Sequence, residues 1–166
     1  NLLFLSMGIL FHGTPIRYVK AINAGVQACS GIILQFPLYA GIMSMMKSSG
    51  LATMTVNAVV ATASKSSLPL LTFFSAGILN IFVPSGGGQW AVQGPIMIEV
   101  IQQLNGDLSK TILAFCYGDQ WTNLLQPFWA LALLGITGLR ASQIMGYCIT
   151  VMLIGIIVFS GILLIY

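Results

Sequence analysis

The sequence predicts an all-α membrane protein with about four transmembrane helices, a re-entrant helical hairpin and a broken helix. Hydrophobic residues make up 57% of the 166 residues, and charged residues make up only 5%. A soluble globular domain has about 25% charged residues, so this chain has too few to cover a surface in water. Apolar runs recur along the chain, and two of them are interrupted by polar stretches rich in glycine or proline.

The charged residues and cysteines exclude two classes of site. Six Lys and Arg residues and three Asp and Glu residues give a formal net charge of +3, and the basic residues are too scattered to form a patch for nucleic acid. The three cysteines stand in separate apolar runs without a CxxC spacing, so we interpret them as small buried hydrophobes and expect no metal centre. The partner that the composition predicts is membrane lipid.

Four segments are predicted from length and hydropathy. Asn1–Phe11 provides only about half of the roughly 20 apolar residues that a spanning helix needs, so we expect the start of that helix to lie upstream. Ala21–Met46 and Ala141–Tyr166 are long enough to span a bilayer. Leu51–Ser64 is too short to span and is predicted to be an interfacial helix.

Residues 67–105 are predicted to form a re-entrant hairpin. Its two apolar arms, Leu68–Val83 and Trp90–Leu104, would each extend about 23 Å as a helix, which is more than half of a hydrocarbon layer about 30 Å thick. Two short full spans joined by a surface loop fit the same lengths, and both interpretations remain open at this point.

The stretch between the arms is predicted to be unwound backbone that binds an anion. Three consecutive glycines are costly inside a helix, and they let a ligand approach backbone N–H groups closely. Gln89 and Gln93 are four residues apart and share a helix face. The alternative is a flexible surface turn. The predicted substrate-binding residues are Ser85, Gly86, Gly87, Gly88, Gln89, Trp90, Gln93 and Trp121.

Residues 108–139 are predicted to form a helix that is broken at Gly118–Asn123. Asp119 would lie about 13 Å beyond Lys110 along the helix, near the centre of the bilayer, where an ionisable group is a functional candidate. Asp119, Thr122 and Asn123 are the predicted ion-coupling residues, because hard cations such as Na⁺ take oxygen ligands. A transient Na⁺ would bind at Asp119 and Asn123, and a proton on Asp119 is the other option. The structural alternative is Asp119 as the N-cap of the second half-helix.

Two broken segments in succession are typical of a secondary transporter with a site at the bilayer midplane. Lys and Arg are absent from both stretches, which favours a ligand with a single carboxylate over a dicarboxylate. Trp90, Trp121, Phe128 and Trp129 would line an apolar pocket for a short acyl chain or serve only in packing. A structural membrane subunit without transport activity is the competing hypothesis. An enzyme is disfavoured because the chain has one His and neither HExxH nor GxSxG.

Four runs of this sequence resemble the bacterial short-chain fatty acid transporter family. They are His12-Gly-Thr-Pro15, Gly31-Ile-Ile-Leu-Gln-Phe-Pro37, Phe82-Val-Pro-Ser-Gly-Gly-Gly-Gln-Trp-Ala-Val-Gln-Gly-Pro95 and Gly118-Asp-Gln-Trp-Thr-Asn-Leu-Leu-Gln-Pro-Phe-Trp129. The resemblance covers nearly the whole chain and extends more distantly to the wider ion transporter superfamily.

The resemblance implies that residues 1–166 are the C-terminal half of a multi-pass transporter of the bacterial inner membrane, and one half of an inverted repeat. The implied activity is symport of small monocarboxylates such as butyrate or acetoacetate with Na⁺ or H⁺, without a cofactor. The implied partners are that substrate and the N-terminal repeat of the same transporter, with homodimer formation left open.

Overall fold

The structure, a computed structural model, describes residues 1–28 and 30–165, apart from the side chains at positions 28, 31, 32, 35, 59, 127, 128 and 132. Helices account for 84% of the chain, and the described ranges contain no strand, which confirms the all-α prediction. The helices are α1 (Leu2–His12), α2 (Pro15–Ala28), α3 (Ser30–Ser48), α4 (Leu51–Val60), α5 (Leu68–Phe82), α6 (Gly86–Gln103), α7 (Leu108–Asn123), a 3-10 helix (Pro127–Ala130), α8 (Leu131–Thr137) and α9 (Ala141–Ile165).

Helix α5 lies at the centre of the fold. It packs along α7 and also contacts α3, α4, α6 and α9. A proline in its first turn suits the start of a helix, where the missing N–H would have had no partner. Most of α5 is buried, including the polar residues Thr72, Ser75 and Asn80. Because buried polar groups are costly unless hydrogen-bonded, these three side chains predict polar contacts between α5 and its neighbours.

Two apolar clusters hold the helices around α5. One joins α3, α4, α5 and α6, and its buried members are Met46, Ala52, Val56, Leu79, Val83 and Met97. The other joins α5, α7 and α9 through Phe73, Ala114 and Leu163. In a bilayer such side chains hold helices together through close van der Waals packing, since lipid is as apolar as they are. The clusters therefore fix the hairpin and α7 against one another.

The predicted hairpin is present as two helices, α5 and α6, joined by the three residues Val83–Ser85. The predicted unwinding at Ser85–Gln89 is wrong, because Gly86 begins α6 and the glycines form its first turn. Ser85 is the N-cap, and its hydroxyl accepts a hydrogen bond from the N–H of Gly88 at 3.3 Å. The cap satisfies part of a turn that glycine propensity alone would disfavour. The depth of this hairpin in a bilayer stays a prediction.

The predicted break in the second motif lies later in the chain than Gly118–Asn123. Helix α7 is continuous through Asn123, and the interruption covers residues 124–126 before the 3-10 helix and α8. The physical reason lies at Gly118, which is a contact residue and not a helix breaker. A Cβ atom built there would collide with the carbonyl oxygen of Phe73 and lie 2.8 Å from Cβ of Ala76. The glycine thus lets α7 approach the backbone of α5.

The lengths and hydropathy of the outer helices limit how many of them could span a membrane. Among the described residues one helix, α9, is long and apolar enough to cross a bilayer, and α1 with α2 passes the same test only as a pair bent by 112°. The predicted span over Ala21–Met46 is helical in α2 and α3, on either side of Cys29, which lies outside the described residues. The segment predicted as an interfacial helix is helical over Leu51–Val60 (α4), with Ala52 and Val56 facing the core, and its position at the interface stays a prediction. The count of about four spans stays a prediction.

The close approach at Gly118 predicts a specific loss of stability. Gly118→Ala in the intact protein should lower the free energy of unfolding by about 2 kcal/mol, because overpacking forces the α5 backbone and α7 apart. The measurement is the apparent Tm in detergent micelles. Gly146→Ala is the control, because a Cβ atom there would meet nothing within 4 Å, and alanine should leave Tm unchanged or raise it. Equal Tm values for both variants would contradict the proposed contact.

Candidate functional site

The hairpin tip and the end of α7 meet where Asp119 contacts Gly86. A Cβ atom built on Gly86 would lie 3.3 Å from Oδ2 and 3.6 Å from Oδ1 of Asp119. The carboxylate therefore lies against the first residue of α6, at the positive end of the helix dipole. Asp119 stands inside α7 and not at the start of a helix, so the alternative interpretation as an N-cap is wrong.

Asn80, near the end of α5, bonds three oxygens of α7. Its Nδ2 group lies 2.7 Å from the carbonyl oxygen of Asp119, 3.0 Å from Oγ1 of Thr122 and 2.9 Å from Oδ1 of Asn123, so its two N–H donors are shared among three acceptors. Asn80 is fully buried. Sequence reasoning did not select this residue. The available signal was an amide side chain within an apolar arm, since polar side chains in such helices often bond across to a neighbour.

The predicted coupling residues Thr122 and Asn123 are brought beside Asp119, but both already have hydrogen bonds. Thr122 also donates to the carbonyl oxygen of Gly77 at 2.8 Å. Gln126, another residue that sequence reasoning missed, donates to the carbonyl oxygen of Asn80 at 2.6 Å. These bonds pair backbone and side-chain groups of the helix ends, so both predicted residues have a structural role here in addition to any role in ion binding.

Gln89 and Gln93 share one face of α6, as predicted, and that face is turned toward α5. Nε2 of Gln89 donates to the carbonyl oxygen of Ala76 at 2.8 Å and to Oε1 of Gln93 at 3.2 Å. Gln93 in turn donates to the hydroxyl of Ser75 at 2.9 Å. Both glutamines are buried. Their amide groups therefore tie the two hairpin arms together.

Several oxygens around this junction have no donor among the described residues. Oδ1 of Asp119, Oδ1 of Asn80, Oε1 of Gln89 and Oε1 of Gln126 are all buried without a hydrogen-bond partner. Oxygens without donors can accept a proton, a water molecule or a hard cation. The polar chemistry at the junction therefore favours a positively charged ligand beside Asp119.

A cavity of about 610 Å³ adjoins this junction, between the hairpin tip, the end of α7 and α9. Its lining is Pro84, Gly86, Gln120, Trp121, Asn123, Leu124, Trp129, Val151, Gly155 and Phe159. Two of the four predicted pocket aromatics, Trp121 and Trp129, line it. Trp129 is held by a hydrogen bond from Nε1 to the carbonyl oxygen of Asn123 at 2.9 Å. The cavity thus combines apolar walls with a few polar groups, as ligand sites do.

The other predicted substrate-binding residues point elsewhere. Trp90 packs edge-on against Phe115, with ring centroids 4.9 Å apart, and does not line the cavity. Ser85 lines a separate cavity of about 150 Å³ toward α3. A Cβ atom on Gly88 would lie 2.9 Å from the sulfur of Met43, and one on Gly87 would meet nothing within 4 Å. The side chain of Phe128 lies outside the described residues.

Comparison with known proteins identifies the family. A family model described as short chain fatty acid transporter matches residues 1–166. This chain belongs to the short-chain fatty acid transporter family. The family consists of membrane transporters and not of enzymes, so membership supports the two coarser predictions of a membrane protein and of a non-enzymatic function.

Two curated relatives carry the provisional name of short-chain fatty acid transporter. The protein from Escherichia coli is 47% identical over 163 residues, which cover 98% of this chain and 36% of that protein. The protein from Haemophilus influenzae is 48% identical over 153 residues, which cover 92% of this chain and 34% of that protein. The chain thus spans about a third of the length of these two relatives, within their C-terminal half. No solved structure matches the chain.

The bonds of Asn80 predict that its amide stabilises the junction. Asn80→Ala removes the donor to three oxygens of α7 and should cost about 1–3 kcal/mol, since buried groups that lose their partner pay the desolvation penalty. The expected result is a lower apparent Tm for the intact protein in detergent. Asn57→Ala, at an exposed position of α4, is the matched control and should leave Tm close to that of wild type. Comparable losses in both variants would refute a special role for Asn80.

Proposed function

We propose that the intact transporter to which this chain belongs moves short-chain fatty acids, such as butyrate or acetoacetate, across the bacterial inner membrane. Transport is secondary and active, and it is driven by symport with Na⁺ or H⁺. Family membership supports the substrate class, because the relatives are named for short-chain fatty acids. The junction of α5, α6 and α7 supports a binding site in this part of the protein.

The charges of the sequence favour a monocarboxylate. The only Lys or Arg between residues 66 and 139 is Lys110, close to the start of α7 and absent from the cavity lining. A single carboxylate can be held by backbone N–H groups at the first turn of a helix, without a cationic side chain. We assign this role to the first turn of α6, which begins at Gly86 beside the cavity.

The contact between Asp119 and Gly86 is the observation that carries the coupling proposal. A substrate carboxylate at the first turn of α6 would lie within a few ångströms of a second carboxylate. Two like charges at about 4 Å repel strongly where water is scarce. A proton or Na⁺ on Asp119 removes this repulsion, so the site accepts the anion only together with a cation. The buried oxygens of Asp119 and Asn80 that lack donors suit such a cation.

The same elements suggest how the site opens to either side. The hairpin and the broken region at residues 124–126 would move together against the remaining helices, which alternates access to a site near the bilayer midplane. An N-terminal repeat of the same transporter would complete the site. The proposed arrangement is multi-pass, with about four spans in this part of the chain, and homodimer formation is open.

Neutralising Asp119 should abolish coupled uptake. The measurement is the initial rate of radiolabelled butyrate uptake by the intact protein in proteoliposomes, with an inward gradient of Na⁺ or of H⁺. Asp119→Asn should make the rate independent of both gradients, because the neutral amide neither repels the substrate carboxylate nor binds the coupling cation. Asp107→Asn is the matched control. Asp107 caps α7 at an exposed position, through a bond from the N–H of Lys110 at 2.9 Å, and asparagine caps equally well.

Three results would count against parts of the proposal. Uptake by Asp119→Asn that still follows the Na⁺ or H⁺ gradient as in wild type would remove Asp119 from the site. Uptake by wild type that responds to neither gradient would remove the coupling. No uptake of any short-chain acid by wild type would favour the competing hypothesis of a structural membrane subunit.

A further inference from the structure

The cavity beside Asp119 has one polar end and one apolar wall. Gly86, the residue that contacts Asp119, also lines the cavity, and Asn123 lies at the same end. The opposite wall comes from α9, which contributes Val151, Gly155 and Phe159. The sequence of α9 predicts only a membrane span. The structure gives one of its faces a second role, as part of a ligand cavity.

Gly155 forms a gap in this wall that packing does not require. A Cβ atom built there would lie 3.6 Å from both Trp121 and Phe159, which is ordinary van der Waals contact. Glycine inside a helix costs about 1 kcal/mol relative to alanine, and Gly155 lies in the middle of the 25-residue helix α9. Neither a close approach nor a left-handed backbone explains its presence. The missing side chain instead enlarges the cavity.

The wall opposite Gly155 is held in place by Trp121. Its Nε1 group donates to the carbonyl oxygen of Met152, one turn before Gly155, at 3.0 Å. Its ring stacks on Phe73 with centroids 5.1 Å apart and meets Phe74 edge-on. These contacts on two helices fix the distance between the indole and α9. The width of the cavity at Gly155 is therefore set by the fold.

We propose that the acyl chain of the substrate occupies this cavity and that Gly155 determines the longest chain that fits. The carboxylate end lies at Gly86, and the methyl end points along Trp121 toward α9. This inference rests on the proposed function and extends it, because it names the residue that sets chain-length specificity. A volume of about 610 Å³ lies within the range of ligand pockets, about 300–1,000 Å³.

A fatty acid fits this cavity better than the tail of a membrane lipid. Asp119 does not itself line the cavity, but Gly86, the residue that it contacts, does, so an occupant that reaches Gly86 needs one polar end there and an apolar remainder. A lipid tail has no polar group to place there. A bulky side chain at position 155 should therefore discriminate between acids by length, because it shortens the space for the methyl end and leaves the carboxylate end unchanged.

The test compares acids of different length on the intact protein in proteoliposomes. Unlabelled acetate, butyrate and hexanoate compete with radiolabelled acetate, and the inhibition constants are measured for wild type, Gly155→Leu and Gly155→Ala. Gly155→Leu should raise the ratio of the hexanoate constant to the acetate constant by about tenfold or more, since each methylene in an apolar pocket is worth about tenfold or more. Gly155→Ala should shift the same ratio in the same direction by a smaller factor.

Gly146→Leu serves as the matched control. Gly146 is an exposed helical glycine of the same helix, and a Cβ atom there would meet nothing within 4 Å. Its ratio should equal that of wild type. Should Gly155→Leu fail to reach the membrane in folded form, Val151→Phe, one turn earlier on the same wall, provides the second bulky variant.

The outcomes separate the inference from the function it extends. Uptake by wild type together with unchanged ratios in Gly155→Leu, Gly155→Ala and Val151→Phe would overturn the role of Gly155 and leave the transport proposal intact. Equal loss of all three acids would also overturn it, because that result indicates a packing role without length discrimination. Absence of uptake by wild type would refute the proposed function itself.

Discussion

The amide of Asn80 joins the end of α5 to the end of α7. Helix breaks expose backbone carbonyl and N–H groups, and in an apolar layer these groups must find partners within the protein. Nδ2 of Asn80 bonds to three oxygens at the end of α7. Nε2 of Gln126 in turn donates a hydrogen bond to the carbonyl oxygen of Asn80. These bonds satisfy polar groups at the hairpin tip and at the end of α7 where both are buried from water. The rest of the junction depends on them.

The position of Asp119 follows from this pairing. The carbonyl oxygen of Asp119 is bonded to Asn80, and Gly118 beside it allows α7 to reach the backbone of α5. The carboxylate is then directed to the first residue of α6 and not to lipid. A negative side chain at a helix start is stable by itself, yet it blocks the same place for an anionic substrate. The cation requirement that we propose would thus arise from the packing that holds the helices together.

The cavity next to this contact has a polar end and an apolar end, which correspond to the two ends of the proposed substrate. Its polar end is built from helix termini, and its apolar end is built from Trp121 and α9. Among the described residues, α9 is the one helix that is by itself long and apolar enough to cross a bilayer, and one of its faces lines the cavity. In the proposed function, the carboxylate of the substrate would bind at the polar end and its acyl chain would lie along the apolar end.

The hairpin and the interrupted helix could be predicted from sequence, because glycine, proline and polar residues divide the apolar runs into segments of helix length. The local structure of those stretches could not. Helix propensity predicts that three glycines break a helix. In the structure they form the first turn of α6, where Ser85 is the N-cap. Gly118 has the same identity as a helix breaker, and only the position of Phe73 shows that it serves close packing.

The hydrogen bonds between residues far apart in the sequence could not be predicted either. Asn80 and the carbonyl oxygen of Asp119 are 39 residues apart in the chain, and nothing in the spacing links them. The prediction that Gln89 and Gln93 share a face was correct in geometry, but the facing α5, with the carbonyl of Ala76 and the hydroxyl of Ser75, decides what their amides bond. Sequence patterns therefore predicted which two stretches would meet and left their contacts undetermined.

Disulfide formation between positions 86 and 119 tests the central claim most directly. Gly86→Cys and Asp119→Cys would be combined in the intact protein, with Cys29, Cys116 and Cys148 replaced by alanine, and oxidised mildly in native membranes. Disulfides need Cβ atoms about 3.5–4.5 Å apart. A Cβ atom on Gly86 would lie 3.7 Å from Cγ of Asp119, the position next to Cβ that a cysteine sulfur takes, so we expect a cross-linked peptide by mass spectrometry. We expect far less product for Gly87→Cys with Asp119→Cys, since a Cβ atom on Gly87 meets nothing within 4 Å. Equal yields from the two pairs, or no product from the first, would show that the hairpin tip does not face Asp119.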